Sequence, residues 1–355
     1  MTDCVEKGEK VWRVLLCLTP AKLAKLQWGD IGALAAQMRG PHHAAITLVP
    51  PEALATEKRV FDVAVTKVTD QIVACAEAGT DSTAKAEEAA RELAAVEAYL
   101  AAHPETVAVD PVPVQRLLCR RDVLCDTLAA LCNAAAAPGA PVVRGARYCV
   151  GSAAGIRYPV MCKRVGACGI PESHRMAIAF GPRAVADFAA RAGSVVCQEY
   201  VNHGARLYKV FCVGAAHVFV HTRPSLPDLA PAAPGAPEPA PLLFDNARPT
   251  APQVAAWVAE RPECFPGTSG EKEKEAEEAE ALDMALMEAI ARRVSAAFGG
   301  VRLFGFDVVV ERGTGDAVVL DVNYFSSYRG CLTGPQFFDV LLDTLAAEQR
   351  EQSQQ

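Results

Sequence analysis

In the stretch 303–323, LFGFDVVVERGTGDAVVLDVN, two apolar runs flank a glycine-rich turn and carry Asp307, Asp321 and Asn323. Side chains alternate between the faces of a strand, so Asp321 and Asn323 share one face. A turn centred near Thr314 sets Asp307 directly across from Asp321, about 5 Å away between Cβ atoms. Two carboxylates and an amide on one face repel or go unsatisfied unless something positive binds among them. Oxygen donors of this kind suit Mg²⁺, which proteins usually hold with one or two carboxylates plus substrate phosphates. An edge hairpin with a merely wet polar face would give the same pattern. The apolar partners Phe304, Phe306, Val308, Leu320 and Val322 mark the opposite face as core and favour a magnesium–nucleotide site.

The lysines are the other candidates. Lys163 ends a strand-like run, YPVMCK, before a loop containing Gly166 and Gly169. A lysine there can reach nucleotide phosphates while loop amides approach closely. The spacing is not the G-x-x-x-x-G-K-[ST] phosphate loop, and a strand-end lysine is as readily structural. Lys209 in LYKVFCV shares a strand face with Leu207 and Phe211, where an unpaired ammonium is costly to bury. Either a carboxylate or an anion must meet it. Lys22 at a helix start and Lys67 at a strand end can face an anionic ligand or only solvent. His174, beside Arg175, is a ligand or a surface histidine. Arg223-Pro224-Ser225-Leu226 reads as a turn. No Ser/His/Asp set, metal-binding histidine pair or zinc pattern occurs, which argues against a covalent nucleophile.

These residues need a framework. With 355 residues, two or three domains are expected. A chain that is 51% hydrophobic and 22% charged reads as globular. Its formal charge of −7 argues against nucleic-acid binding but leaves open an anionic small molecule held by local lysines. Thirteen cysteines lie scattered in apolar runs without a C-x-x-C pair, as small buried hydrophobes of a reducing compartment do. The charged start MTDCVEKGEK is not a signal peptide, and no run approaches transmembrane length. A soluble monomer of the cytoplasm or nucleus, without membrane insertion, is expected.

Strands over 11–18, 44–49 and 61–68, alternating with helical runs, predict a parallel sheet; 84–102 is a strong helix former. Prolines near residue 112 mark a domain boundary. Beyond it the patterns predict a helix over 116–136 and strands over 158–164 and 195–201. A helix or strand is expected over 176–180, and a hairpin of 207–213 with 217–221 turning at Gly214. The Pro/Ala stretch 227–241 is read as a mobile insertion that cannot pack a core. The charge-dense run 271–280 reads as a solvated helix start before an apolar stripe over 282–298.

Taken together, HPETVAVDPVPVQRLL, YPVMCKRVGACGIPESHRMAIAF, VVCQEYVNHGARLYKVFCVG, RPSL, and LFGFDVVV followed by VVLDVNYFSSYRG resemble, in order, the inositol-tetrakisphosphate 1-kinase family, also called inositol 1,3,4-trisphosphate 5/6-kinases. The resemblance implies an α/β ATP-grasp fold: an N-terminal parallel-sheet domain on the substrate side (1–112), a central lobe (113–199) and a C-terminal lobe with the Mg site (200–350). Insertions are expected at 227–241 and about 262–280. It implies ATP as co-substrate, two Mg²⁺ ions and transfer of the γ-phosphoryl group to a hydroxyl of an inositol tris- or tetrakisphosphate. By the same resemblance Arg121, Lys163, Gln198, Glu199, Tyr200, Val201, Lys209 and Ser225 would bind ATP. Lys22, Lys67, His174, Lys209, Asn323 and Ser327 would meet the acceptor, and Asp307, Asp321 and Asn323 the metal. Lys163, Lys209 and Asp321 would then carry catalysis.

The chain departs from the family pattern at three places. Cys168 and one extra residue stand in the loop after Lys163, Ser326-Ser327 replaces Pro-Gly, and Thr66 stands where a histidine is usual. Two rival readings share most of these features. One is an ATP-grasp carboxylate–amine ligase, which would use the same magnesium hairpin, and the other a non-catalytic inositol-phosphate-binding protein.

Overall fold

The computed structural model describes residues 10–77, 84–131, 142–168, 171–231, 237–246, 251–266 and 283–354. In chain order the first strands are β1 (Val11–Cys17), β2 (His43–Leu48), β3 (Val63–Thr66) and β4 (Val107–Val109). They pair in the order β2-β1-β3-β4, every pair parallel. Parallel neighbours need crossover connections. These are α1 (Pro20–Leu26) and α2 (Ile31–Gln37) between β1 and β2, then α3 (Thr69–Glu77) and α4 (Ala84–Ala102) between β3 and β4. Thr19 caps α1 through its hydroxyl, which accepts from the Lys22 amide, with Pro20 in the first turn.

Next come α5 (Val112–Leu117) and α6 (Arg121–Leu131), then β5 (Val143–Gly145), β6 (Tyr148–Val150), β7 (Val160–Arg164), β8 (Arg175–Ala179), α7 (Pro182–Ala192) and β9 (Val195–Glu199). The C-terminal part holds β10 (Arg206–Val213), β11 (His217–Pro224), β12 (Leu242–Asp245), α8 (Ala251–Glu260), α9 (Met284–Ala297), β13 (Leu303–Val310), β14 (Ala317–Tyr324) and α10 (Gly334–Gln352). Two five-stranded sheets result, β12-β8-β7-β9-β6 and β11-β10-β13-β14-β5. They are interwoven, because β5 crosses to the second and β12 returns to the first.

Hydrophobic burial joins the parts. One apolar cluster runs from Trp12 and Val14 of β1 through Trp28 to Phe304, Phe337 and Leu341. Asp110, buried and at φ 59°, stitches the same seam: its carboxylate accepts from the Arg302 and Leu303 amides, each at 2.7 Å, just before and at the start of β13. Burial raises its pKa to about 6 despite those two amides. Asparagine would turn a donor towards one of the amides and leave it unmet. Asp110→Asn is therefore expected to cost about 1–3 kcal/mol and lower the calorimetric unfolding midpoint by several degrees.

Several expected elements differ in extent. The strand expected over 61–68 stops at Thr66, so Lys67 stands just past its end. The helix expected over 116–136 is broken at 118–120, where Ala167 donates to the Cys119 carbonyl and Arg120 bridges to Gly166. That strand-like pairing with the loop after β7 competes with helix continuation. Residues 132–136 of the same helix, and the charged run 271–280, lie outside the described residues. The Pro/Ala stretch requires a correction: its described ends pack. Leu229 is buried and exchanges two hydrogen bonds with Asn202, Tyr200 donates to the Pro227 carbonyl, and Glu238 accepts from the Arg183 and Ala184 amides at the start of α7. Interspersed Leu and Glu give a proline-rich segment something to bury and something to cap. Likewise Cys264 and Phe265, at the start of the second expected insertion, are buried.

Candidate active site

A single cross-strand row carries the hairpin chemistry. Lys209 lies opposite His221 on one side and Asp307 on the other, and Asp307 lies opposite Asp321. The register anticipated from the turn is thus the observed one at this row. One residue further, Val308 pairs with Val319, so Leu320 is an extra residue bulged out of the ladder. The bulge matters because it frees the Leu320 carbonyl. Lys163 Nζ donates to it at 3.4 Å and Gln198 Nε2 at 3.1 Å, while Lys163 also donates to Gln198 Oε1 at 2.7 Å. The two sheets meet at this point.

Electrostatics make the row hungry for counter-ions. Burial raises the Asp307 pKa, with Asp321 adding to the rise and Lys209 opposing it. Lys209 Nζ lies 3.2 Å from Asp307 Oδ1, which answers the question left open for this lysine: a carboxylate meets it. Burial also lowers the Lys163 pKa, against the pull of Asp321. Asp321 accepts from the Val322 amide at 3.1 Å.

Whether these residues can hold Mg²⁺ is decided by their donors. Two carboxylates and an amide carbonyl are hard oxygen ligands, enough for an ion that keeps waters and phosphate oxygens as its other ligands. Among the described residues, no three His, Cys, Asp or Glu side chains form a metal-holding group, so no all-protein cage competes with this partial one. The set fits Mg²⁺.

Beside the row lies a cavity of about 770 Å³. It is lined by Lys22, Lys67, His174, Lys209, Asn323 and Ser327, all six residues expected to meet the acceptor, from five separate stretches of chain. Lys25, Arg223 and Arg329 line it too, against one carboxylate, Asp70. A chain of net charge −7 has gathered six of its 35 lysines and arginines in one hollow. Lys25 could have been found from its i, i+3 spacing to Lys22; Arg329, in an irregular loop, carried no signal. Lys22 pairs with Asp70 at 2.7 Å and Lys67 donates to the Phe325 carbonyl at 2.5 Å. Burial, then the neighbouring Lys22, pushes the Lys67 pKa down to about 7.

The departures from the family pattern separate here. Ser326, Ser327 and Cys168 line the cavity. Thr66 does not: it is buried and its hydroxyl accepts from Gln115 Nε2 at 2.8 Å.

The expected nucleotide residues are placed less uniformly. Gln198 and Glu199 end β9 and Tyr200 and Val201 follow it; Val201 packs in a small buried apolar cluster with Ala146, Val309 and Val318, flanked by Leu207 and Leu320. Glu199 joins an ion network. Its carboxylate pairs with Arg144 and Arg147, and Arg144 also pairs with Glu311 in the β13–β14 turn. This ion network was not legible in the sequence. Ser225 Oγ lies 2.8 Å from His203 Nε2, whose pKa burial depresses. Arg121 is buried and donates through its two terminal nitrogens to the carbonyls of Arg164, Gly166 and Ser173, which holds the chain at the end of β7 and beyond it, while its Nε has no partner among the described residues.

A family model described as the inositol 1,3,4-trisphosphate 5/6-kinase ATP-grasp domain matches residues 144–347. Among relatives, an inositol-tetrakisphosphate 1-kinase of Danio rerio is 30% identical over 296 residues, covering 81% of this chain and 67% of its own. One from Xenopus laevis is 27% identical over 341 residues, covering 93% and 77%. Among solved structures, the VanG D-Ala:D-Ser ligase of Enterococcus faecalis superposes with a TM-score of 0.51 at 11% identity, over 94% of this chain and 99% of that one, a likeness of fold alone. The match across 144–347 and the relatives together establish that the chain belongs to the inositol 1,3,4-trisphosphate 5/6-kinase family of ATP-grasp proteins.

Proposed function

We propose that this chain is an ATP-dependent inositol polyphosphate kinase, transferring the γ-phosphoryl group of ATP to a ring hydroxyl of an inositol tris- or tetrakisphosphate at the 1-, 5- or 6-position. The observation that carries the reading is the cavity. Six cationic side chains and His174 converge where the Asp307–Asp321 row ends, as an acceptor bearing several phosphates requires.

Phosphoryl transfer needs in-line positioning and charge neutralisation more than covalent help. Asp307, Asp321 and Asn323 would hold Mg²⁺, two ions in this proposal, which would supply neutralisation of phosphate charge. Lys163 sits on the other sheet facing that row and offsets charge on the transferred group. Lys209 can leave Asp307 for a phosphate once a cation replaces it. Lys22, Lys67, Lys25, Arg223 and Arg329 hold the acceptor against repulsion from ATP. Gln198 to Val201, at the end of β9 and just past it, line the adenine side of the nucleotide site. Taking Lys67 and Asp307 as marks of the substrate-side and C-terminal domains, the domain division 1–112, 113–199 and 200–350 places the reaction at their junction.

ADP release with Mg·ATP should be stimulated by inositol phosphates and not by pairs of carboxylates and amines. Stimulation by the latter would make the chain a ligase and overturn the proposal.

Lys67 gives a pH signature. With its pKa near 7 in the free protein, it is largely neutral at pH 8, and a polyanion favours its charged form. Acceptor binding at pH 8 should therefore take up a proton, and affinity should fall as pH rises from 7 to 9. Calorimetry in buffers of different ionisation enthalpy reads the uptake, which Lys67→Met should abolish.

A further inference from the structure

Two thiols flank the cavity wall. Cys168, in the loop after β7, lines the cavity; Cys119, between α5 and α6, is buried behind it. Their sulfurs lie 3.9 Å apart, and both approach the Thr69 carbonyl, Cys168 at 3.8 Å and Cys119 at 3.9 Å. Their backbones are already tied, because Ala167 donates to the Cys119 carbonyl at 2.9 Å. A second pair, Cys162 and Cys197, has the same sulfur separation but is completely buried between β7 and β9. Only the first pair couples an accessible sulfur to a hidden one.

We propose that Cys168 and Cys119 form a dithiol site that reacts with hydroperoxides and closes to a disulfide in the wall of the acceptor cavity. The Cys168 thiolate attacks the outer peroxide oxygen. The S–O bond forms, the O–O bond breaks, and the departing alkoxide or hydroxide takes a proton from water. Sulfur is oxidised by two electrons and the peroxide reduced by two, leaving Cys168 as a sulfenic acid. The Cys119 sulfur then attacks the sulfenyl sulfur. The S–S bond forms, the S–O bond breaks, and the leaving hydroxide departs as water with the Cys119 proton. In the reduced pair Cys168 donates to the Cys119 sulfur, and Cys119 to the Gln115 carbonyl at 3.2 Å. The pairing with Cys119 and the charge of Lys22 draw the Cys168 pKa down, while Cys119 is driven up by the same pairing and by burial. A thiolate at the cavity and a protonated partner behind it suit an attacking and a resolving cysteine.

The bond would matter because the loop it pins also carries His174 and receives the three carbonyl contacts of Arg121. The test uses the full-length reduced chain, exposed to a few equivalents of hydrogen peroxide and digested without reductant. Mass spectrometry should find the 119–168 cross-linked peptide before any 162–197 cross-link. Acceptor turnover should fall at least tenfold and recover with dithiothreitol. In Cys119→Ser, Cys168 should instead be trapped by dimedone as a sulfenic acid. The proposal is overturned if Cys75 or Cys149 oxidises while Cys168 stays reduced, or if Cys168 oxidises without ever cross-linking to Cys119. Because the cross-link is read chemically, it stands or fails independently of which acceptor the cavity takes.

Discussion

Asp321→Asn should lower turnover at saturating Mg·ATP by roughly 10³-fold, about 4 kcal/mol at 1.4 kcal/mol per tenfold. The substitution removes one full negative charge from a row that has only two, and points an amide donor towards where a cation would sit. Folding should survive, because an asparagine oxygen can still accept from the Val322 amide, now met at 3.1 Å. Two readouts separate these effects. The unfolding midpoint without metal should match the parent chain, whereas the stabilisation of the parent by millimolar Mg²⁺ with nucleotide should vanish. Near-parental turnover would remove Asp321 from the metal set.

The second large effect is expected at Lys163. Lys163→Met keeps the length of the side chain and removes a cation that burial already penalises. Gln198 keeps its bond to the Leu320 carbonyl, losing only the donor to its own oxygen, at a cost of about 1 kcal/mol that relief of the buried ammonium offsets. Stability should therefore change little. kcat/KM for ATP should fall roughly 10²- to 10³-fold, while binding of the acceptor without nucleotide, measured by calorimetry, stays the same. A loss confined to acceptor binding would instead place Lys163 in the acceptor cavity.

Legibility in the sequence followed the range of the interactions. The Asp307–Asp321 pairing could be read because a short hairpin fixes register by local geometry, and strand alternation then places Asn323. What alternation does not announce is the one-residue bulge at Leu320, which turns a carbonyl out towards Lys163 and Gln198. The six acceptor residues rested on resemblance, since nothing local brings Lys22 to Ser327. Arg329 shows the limit, being exposed in a loop whose path depends on tertiary packing. Arg121 shows another limit. Its ATP role rested on resemblance alone, and no local pattern announces the backbone carbonyls of Arg164, Gly166 and Ser173 to which its guanidinium also donates. The Pro/Ala stretch misled for a compositional reason: low complexity hides single residues such as Leu229 and Glu238 that find partners only in the fold.

Transfer of label from [γ-³²P]ATP settles the matter most directly. Incubated with Mg²⁺ and an inositol tris- or tetrakisphosphate, the chain should move the label into a product one phosphate richer, in one-to-one ratio with ADP, and Asp321→Asn should not. Tight binding of both ligands with the label remaining in ATP, or released only as inorganic phosphate, would contradict a phosphoryl transfer built on the Asp307–Asp321 row.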